Sequence, residues 1–404
     1  MTDVPACRID PPAFLAEPGL SALLDVLPEA RVVGGAVRDT LAQRTPVDVD
    51  LASPLPPETV LQVLTAAGVK VVPTGLAHGT VTAVLAARSV EITTLRRDVE
   101  TDGRHAVVAF TKDWREDAAR RDFTINAMSM TRDGAVFDYF GGVADLRAGR
   151  LRFVGNPTER VAEDYLRVLR FFRFFARYAA VAPDEATVAA LQGGVPRLGS
   201  LSAERVWHEL TLILSAPNPV AAVALMDQLG VLAAVVPEGT DIAALTQLVG
   251  RGAPVDALLR LAALLTGNVP AFAARLKLSA AERDRLLRLQ AAPLATPEDD
   301  DAALRRLLAN TPADVLVDRM WLAGLDGPEW RLLRERLRTM PVPVFPLEGR
   351  DILALGLAEG PKVGELLRSV RAWWLAGGCA ADAEACRGEV QRQILRSSGT
   401  QDEP

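Results

Sequence analysis

Residues 32–51, VVGGAVRDTLAQRTPVDVDL, form the segment that decides the fold. Its apolar start predicts a short strand, Gly34 and Gly35 predict a tight turn, and a helix follows from about Ala36. A second strand then carries Asp48 and Asp50. The order of strand, glycine turn, helix and acidic strand predicts an α/β unit whose turn and helix N-terminus favour a bound phosphate.

The two aspartates of the second strand are two residues apart, so they project from the same face, about 6 to 7 Å from each other. Their repulsion indicates a cation between them. Two Mg²⁺ ions would remove it, hold the phosphates of a nucleotide and lower the pKa of an attacking 3′-hydroxyl. A solvent-exposed strand face is the alternative. Glu91, in VEITTLR, either completes or braces this catalytic site or is an ordinary edge charge.

The rest of the chain divides into two parts with different patterns. Between about residues 28 and 139, short β-branched runs such as VKVV and TVTAVL alternate with helical stretches. From about residue 146, almost every segment has helical periodicity, interrupted by breaks such as SAPNP and RGAP. We therefore expect an α+β fold in which a mixed sheet is followed by an all-helical remainder.

Composition narrows the classes of protein. No run approaches the ~18 to 20 uncharged apolar residues of a membrane-spanning helix, and the first residues do not read as a secretory signal. We expect a cytoplasmic protein without a membrane partner, with Cys7, Cys379 and Cys386 as free thiols. The net charge is −6, so a nucleic-acid surface would be a local patch. Three scattered histidines argue against a metal-dependent phosphohydrolase module.

Four motifs occur in a fixed order: GGAVRD from Gly34, DVDLA from Asp48, RRDFTINAM from Arg120 and EDYLRVLRFFRF from Glu163. Together they resemble the class II tRNA nucleotidyltransferase and bacterial poly(A) polymerase family, over about residues 30–375. The resemblance implies a seahorse-like arrangement with a polymerase-β-like head. The implied parts are an N-terminal extension (1–27), the catalytic head (28–145), a helical neck with the nucleotide-selecting helix (146–215), a helical body (216–340) and a helical, tRNA-binding tail (341–404).

The resemblance also implies roles for individual residues. Asp48 and Asp50 would bind the two catalytic Mg²⁺ ions, with Glu91 beside them. Gly34, Gly35, Arg38 and Asp39 would lie around the triphosphate and the turn that supports it. The sugar and phosphates of the incoming nucleotide would be contacted by Arg120, Arg121, Asp122 and Asn126. Arginine forks suit phosphate oxygens, and Asp122 can accept a hydrogen bond from a ribose hydroxyl.

Base selection is expected at Asp164 and Arg167, three residues apart on a helix predicted over residues 163–178. Arginine offers only donors and aspartate only acceptors. Cytosine and adenine each present an amino donor beside a ring-nitrogen acceptor, so both fit the pair. Uracil and guanine would leave buried groups unpaired, at ~1 to 3 kcal/mol each. The family assigns this role to the same positions, and Arg170 is a further expected nucleotide contact. Arg205 and Glu209, one helical turn apart, are expected to form a stabilising pair under the nucleotide pocket.

The expected activity is addition of C, A or both from CTP and ATP to the tRNA 3′ end, without a nucleic-acid template and with release of pyrophosphate. The segment LRRDVETDGRHAVVAFTKDW after Glu91 resembles the family's loop that helps switch from CTP to ATP, but it is slightly short and has Ala106 where proline is expected. A CC-only or A-only enzyme is therefore an alternative. A poly(A) polymerase, a catalytically silent tRNA-binding protein and a small-molecule nucleotidyltransferase are others; no protein partner is deducible.

Overall fold

The computed structural model describes residues 3–76, 79–86, 88–101, 106–291 and 294–399. The chain forms two compact units. Unit 1 consists of Met1–Gly239 together with Arg275–Lys277, and unit 2 consists of Thr240–Ala274 together with Leu278–Pro404.

Unit 1 contains the β-structure of the described residues. Its strands are β1 (Cys7–Arg8), β2 (Arg31–Val33), β3 (Asp50–Ser53), β4 (Lys70–Gly75), β5 (Thr80–Val84), β6 (Ser89–Thr94), β7 (Arg96–Thr101), β8 (Ala106–Phe110), β9 (Met128–Met130) and β10 (Ala135–Asp138). One sheet has the order β1-β10-β9-β2-β3-β6-β5-β4, and β7 pairs with β8 separately. The pair β3–β6 is parallel, whereas the neighbouring pairs β2–β3 and β5–β6 are antiparallel.

Helices surround this sheet and continue the chain of unit 1. They are α1 (Pro18–Val26), α2 (Gly35–Leu41), α3 (Pro57–Ala66), α4 (Trp114–Ala119), α5 (Gly142–Arg147), α6 (Pro157–Glu163), α7 (Leu166–Tyr178), α8 (Glu185–Gly194), α9 (Ala203–Leu214), α10 (Val220–Gln228) and α11 (Val231–Val235). A 3₁₀ turn spans Thr124–Asn126 and connects α4 to β9.

The core of the sheet region is built from alternating apolar positions of the strands and one face of each covering helix. Val32 of β2 and Leu51 of β3 are fully buried with Leu20 of α1 and Leu64 of α3. Each such side chain contributes about 1.5 to 3 kcal/mol through its removal from water. Because α1 belongs to the same core, the N-terminal segment is packed into the sheet region.

The long helix predicted over residues 163–178 is interrupted at its start. α6 ends at Glu163, Asp164 is extended with φ −155° and ψ 108°, and α7 begins at Leu166. The Asp164 carboxylate accepts a hydrogen bond from the backbone N–H of Leu166, the first residue of α7. The prediction of one continuous helix was therefore wrong, because aspartate at this position starts a new helix.

Unit 2 is helical throughout its regular described structure. Its helices are α12 (Ile242–Gly250), α13 (Ala257–Leu264), α14 (Val269–Arg275), α15 (Ala280–Leu289), α16 (Asp301–Leu308), α17 (Ala313–Leu322), α18 (Pro328–Thr339), α19 (Gly349–Leu353), α20 (Pro361–Ala376) and α21 (Ala383–Gly399); the last residue of α14 belongs to unit 1. One buried cluster includes Leu316 and Met320 of α17, and another includes Val370 and Trp374 of α20.

A mixed sheet followed by helices confirms the expected α+β fold. The three cysteines are free thiols, and Cys379 and Cys386 are buried. Among the helices of the described residues, none combines the length and the apolar character that crossing a bilayer requires.

Candidate active site

A cavity of about 800 Å³ opens in unit 1 between the sheet and α7. Its wall contains every residue that the sequence assigned to catalysis or nucleotide binding. They are Gly34, Gly35, Arg38, Asp48, Asp50, Glu91, Arg120, Arg121, Asp122, Asn126, Asp164, Arg167 and Arg170. Residues separated by more than 100 positions in the chain are therefore brought to one site.

The acidic edge of the cavity is formed by two parallel strands. Asp50 is the first residue of β3, and the ladder to β6 pairs Leu51 with Ile92, so Asp50 and Glu91 lie one step before that pair on adjacent strands. Adjacent strands are about 4.8 Å apart. Asp48 precedes β3, which corrects the prediction that the strand carries both aspartates.

The electrostatics of this edge match a site for a cation. Partial burial, followed by the negative charges of Glu91 and Asp48, raises the pKa of Asp50, and nearby Arg121 offsets this only in part. Among the residues that the structure describes, no group of three or more His, Cys, Asp or Glu side chains is arranged to hold a metal by itself. Mg²⁺ typically takes one or two carboxylates and completes its shell with substrate phosphates and water. Asp48 and Asp50 fit that mode.

The glycine turn opposite the carboxylates is shaped for close approach. Gly34 has φ 66°, a left-handed conformation that glycine adopts without a steric penalty, and it precedes α2. A Cβ atom on Gly34 would lie 3.1 Å from Nη1 of Arg121. The Arg121 guanidinium therefore lies directly against this turn, where both can face the same ligand.

Arg120 and Arg121 are held by Asp117 of α4, which the sequence interpretation missed. Arg120 Nε donates to Asp117 Oδ1 at 2.9 Å, and Arg121 Nη2 donates to Asp117 Oδ2 at 3.2 Å. Burial opposes ionisation of Asp117, but the charges of Arg121 and Arg120 outweigh it and lower the pKa of its carboxyl. The spacings of three and four residues were a usable signal, because such pairs meet on a helix.

Four residues expected at the nucleotide form a chain of contacts with one another. Arg38 Nη1 donates to Asn126 Oδ1 at 2.6 Å, and Asn126 Nδ2 donates to Asp122 Oδ1 at 3.0 Å. Arg170 Nε of α7 donates to Asp122 Oδ2 at 2.7 Å. Each residue lines the cavity, but Arg38, Asp122 and Asn126 are buried, and most of their polar atoms are already occupied.

Asp122 is the centre of this chain. Burial disfavours its charge, yet the Arg170 guanidinium and hydrogen bonds from Asn126 and the Phe123 N–H together hold the pKa of Asp122 below its ordinary value. Both carboxylate oxygens thus have protein donors. A ribose hydroxyl would have to share them with Arg170 and Asn126.

The two residues predicted to read the base edge, Asp164 and Arg167, are both oriented by neighbouring side chains or backbone groups. Oδ2 of Asp164 forms an ion pair with Arg205 of α9 at 2.6 Å. Nη1 of Arg167 donates to the Arg160 carbonyl at 2.9 Å and to the Glu163 carboxylate. The two side chains lie at the break between α6 and α7 and not on one continuous helix surface.

Arg205 and Glu209 do not pair with each other, contrary to the expectation from their spacing in α9. Arg205 lines the cavity and binds Asp164, whereas Glu209 is buried beside Arg173, with Nε to Oε2 at 3.4 Å. Burial raises the pKa of Glu209, although Arg173 and Arg170 lower it in part. Arg205 is therefore a cavity residue that sequence reasoning assigned to structural support.

The segment after β6 is a ribbon of β7 and β8, with Ala106 opening β8. Arg96 lines the cavity, and its backbone N–H donates to Asp117 Oδ1 at 3.3 Å. The loop also contains the charged residues Asp98, Glu100 and Arg104, which favour a working switch between CTP and ATP. Arg104 and the side chains of Asp98 and Glu100 lie outside the described part of the chain.

Two family models match the chain. Residues 30–152 match the "Poly A polymerase head domain", which covers the glycine turn, the acidic edge and Asp122. Residues 181–242 match the "Probable RNA and SrmB-binding site of polymerase A".

Individual relatives match over most of their length. A mitochondrial CCA tRNA nucleotidyltransferase 1 of Danio rerio is 36% identical over 86% of this chain and 83% of its own, and that of Mus musculus is 35% identical over 92% and 90%. The crystal structure of the Bacillus stearothermophilus CCA-adding enzyme in complex with CTP aligns with a TM-score of 0.73 and 26% identity, covering 95% of this chain and 100% of that one. Because two relatives are named mitochondrial, the cytoplasmic location stays a prediction.

The fold, the two matched regions and the identity over most of the chain agree with the resemblance seen in the motifs. The protein is therefore a nucleotidyltransferase, and the chain belongs to the family of CCA tRNA nucleotidyltransferases.

Proposed function

We propose that this enzyme adds C, C and A to the 3′ end of tRNA from CTP and ATP without a nucleic-acid template. The observation that carries the proposal is the cavity of unit 1, whose wall combines a carboxylate edge, a glycine turn with arginines and an Asp/Arg pair for the base edge. The names of the relatives support tRNA as acceptor, and the solved relative was crystallised with CTP.

In the reaction, the 3′-oxygen of the RNA forms a bond to the α-phosphorus of the nucleotide, and the bond from that phosphorus to the bridging oxygen breaks, releasing pyrophosphate. Asp48 and Asp50 would hold Mg²⁺, and Glu91, beside Asp50 on the neighbouring strand, would complete or brace the site. Bound Mg²⁺ supplies charge stabilisation at the phosphates and favours ionisation of the 3′-hydroxyl. Without a cation, the three carboxylates would repel the nucleotide.

The triphosphate would lie between the glycine turn and the two arginines after α4. Gly34 and Gly35 allow the backbone to approach the phosphates closely. Arg120 and Arg121 can present guanidinium groups to phosphate oxygens while Asp117 fixes their side chains. Arg38, Asp122 and Asn126 support this region through their buried contacts, and we assign them mainly to positioning.

The base edge would be read by Asp164 and Arg167. Arg205 and the Leu166 N–H each take one lone pair of Asp164, and each oxygen retains capacity to accept from an exocyclic amino group. In the described residues, the hydrogen bonds of the Arg167 guanidinium use Nη1, which leaves Nε and Nη2 to donate to N3 of cytosine or N1 of adenine. Uracil and guanine would mismatch both groups.

For the RNA, we propose that residues 28–145 act as the catalytic head, 146–215 as the neck, 216–340 as the body and 341–404 as a tail that contacts tRNA. The matched RNA-binding family model at residues 181–242 supports an RNA surface that begins in the neck. With a net charge of −6, contacts should be local and directed at shape and backbone.

The test uses tRNA transcripts that end at the discriminator base, at C, at CC and at CCA. Each is incubated with Mg²⁺ and labelled CTP, ATP or both. Growth of every shortened transcript to CCA, without extension of the complete one, supports the proposal. A halt after CC, or addition of A to the CC-ended transcript alone, would establish a partial enzyme. Repeated addition of A would establish a poly(A) polymerase, and no product at all would contradict the assignment.

A further inference from the structure

Tyr178, the last residue of α7, makes contacts that the proposed reaction does not use. Its hydroxyl donates to Oδ1 of Asp39 on α2. Its ring lies between two guanidinium groups, with Cζ of Arg38 4.5 Å and Cζ of Arg44 4.8 Å from the ring centroid. Arg44 Nη2 also donates to the Arg177 carbonyl at 2.9 Å. These contacts connect the C-terminal end of α7 to α2 and to Arg44, which follows α2.

These contacts are part of a closed ring of side chains joined by hydrogen bonds. From Tyr178 the ring runs through Asp39 to Arg38, whose Nε donates to Asp39 Oδ1 at 2.9 Å. It continues through the buried contacts of Arg38 with Asn126 and of Asn126 with Asp122, and it returns to α7 at Arg170. We call this set, Tyr178, Asp39, Arg38, Asn126, Asp122 and Arg170, the polar ring.

The polar ring holds α7 at two separate points. Arg170 and Tyr178 are eight residues apart, which is about 12 Å along a helix. A helix held at one point can pivot about it, whereas a helix held at two points keeps its direction. The Asp122–Arg170 pair is one anchor and the Tyr178–Asp39 hydrogen bond is the other.

The two helices that the ring joins carry the two halves of the nucleotide site. α2 begins at the glycine turn, and α7 begins beside Asp164 and Arg167. We propose that Tyr178 is a positioning residue for nucleotide selection, which fixes the base-reading start of α7 relative to the phosphate-binding turn of α2. This inference rests on the proposed function, because it assigns both halves to one nucleotide.

The side chain is suited to that role. Partial burial, opposed by Arg38 and reinforced by the hydrogen bond to Asp39, raises the pKa of the Tyr178 phenol, so the hydroxyl stays protonated and remains a donor at neutral pH. The aromatic ring also contacts Phe174, a buried residue of the same helix, with ring centroids 6.2 Å apart. The hydroxyl and the ring can therefore be tested separately.

The test compares three variants with the wild type, using CC-ended and C-ended tRNA transcripts. Tyr178→Phe removes the hydrogen bond and keeps the ring between the arginines, Tyr178→Leu removes both, and Asp39→Ala removes the acceptor. We expect KM for CTP and ATP to rise about 10-fold or more, the loss of one hydrogen bond to a charged group, with kcat and KM for tRNA within about twofold. Incorporation of UMP relative to CMP should increase in parallel.

Tyr139→Phe is the matched control. It removes a tyrosine–aspartate hydrogen bond, from Tyr139 to Asp3 at 2.6 Å, that does not belong to the cavity wall. Its KM values should equal those of the wild type. Thermal melting of each variant shows whether a change reflects general unfolding.

A direct contact between Tyr178 and the substrate is distinguished by combining Tyr178→Phe with Asp39→Ala. If the two residues act through one bond, the double variant resembles Asp39→Ala alone. Additive effects, or unchanged KM for CTP and ATP in both Tyr178 variants of an active enzyme, would overturn the positioning role alone. A wild type unable to extend any transcript would overturn the proposed function and this inference with it.

Discussion

Asp50 and Glu91 lie at the same level on two adjacent parallel strands, one step before the pair of Leu51 and Ile92. The antiparallel neighbours of these strands continue the sheet on either side, so this is the place where the strand direction does not alternate. Two carboxylates at neighbouring positions and a third at Asp48 raise the local negative charge, which is seen in the raised pKa of Asp50. A cation bound at this edge, as the proposed function requires, would relieve the repulsion among these carboxylates.

Asp48→Asn and Asp50→Asn are each expected to lower kcat by about 100-fold or more, because metal-based charge stabilisation contributes several kcal/mol and each 1.4 kcal/mol is tenfold. Single-turnover CMP incorporation measures the change. Asp133→Asn, an exposed carboxylate of unit 1 outside the cavity wall, should leave the rate unchanged. Full activity of both cavity variants would exclude these residues as metal ligands.

Without metal, Asp50→Asn is expected to raise the melting temperature at neutral pH. The folded-state pKa of Asp50 is raised, so its contribution to stability is fully present below the unfolded pKa of about 4 and is lost as pH rises through the folded pKa. The difference in melting temperature between the variant and the wild type should therefore disappear at acidic pH. Added Mg²⁺ should stabilise the wild type and not the variant. Scanning calorimetry with chelator or with Mg²⁺, at several pH values, measures both changes in melting temperature. A metal-free variant that is less stable than the wild type at neutral pH would contradict this prediction.

The sequence was sufficient to predict residues that line one cavity, but not the contacts among them. Gly34, Asp50 and Asp122 could be identified because each belongs to a motif with a chemical reason for its residue type. Their convergence on one cavity agrees with that interpretation. The order of the sheet, by contrast, depends on long-range pairings such as that of β1 with β10, which no local pattern encodes.

The break between α6 and α7 at Asp164 could not be predicted from the local sequence pattern. The residues around it contain no Gly or Pro, and the apolar periodicity continues, so the pattern favours one helix. At the interruption, the Asp164 carboxylate accepts from the Leu166 N–H and binds Arg205, which is 41 residues away in the sequence. The Arg205–Glu209 expectation failed for the same reason, since a tertiary partner competed with a helical neighbour.

Arg205→Ala is expected to weaken base discrimination while leaving the cavity intact. Its ion pair with Asp164, at 2.6 Å, fixes the acceptor that would read the amino group of cytosine or adenine. Loss of that constraint should lower the ratio of kcat/KM for CTP over UTP about 5- to 10-fold, the value of about one hydrogen bond. Arg197→Ala, an exposed arginine of the same unit, is the control. An unchanged ratio with Arg205→Ala would show that Asp164 is oriented without it.

Asp122→Asn is expected to lower the free energy of unfolding by about 2 kcal/mol, less than the ~3 to 5 of a fully buried ion pair, because the Arg170 side chain keeps 31% exposure. The pKa of Asp122 is lowered, so this contribution is present above the unfolded pKa of about 4 and is lost as pH falls through the folded pKa. Urea unfolding at pH 7 measures it.

The Asp122–Arg170 pair also predicts that the stability changes caused by substituting its two members are not additive. Arg170→Ala alone should destabilise the protein by leaving the Asp122 charge buried, and the double variant should cost less than the sum of the single changes. A coupling near zero would mean that the ion pair adds nothing to stability and that the polar ring lacks this anchor.

The proposed function requires that the cavity of unit 1 selects C and A by itself. The most direct measurement gives a transcript ending at the discriminator base all four nucleoside triphosphates in competition with Mg²⁺, and then sequences the 3′ ends. We expect 3′ ends that read CCA, with U and G rare and no extension beyond the A. Ends that contain U or G in proportion to their supply, or long runs of A, would contradict it.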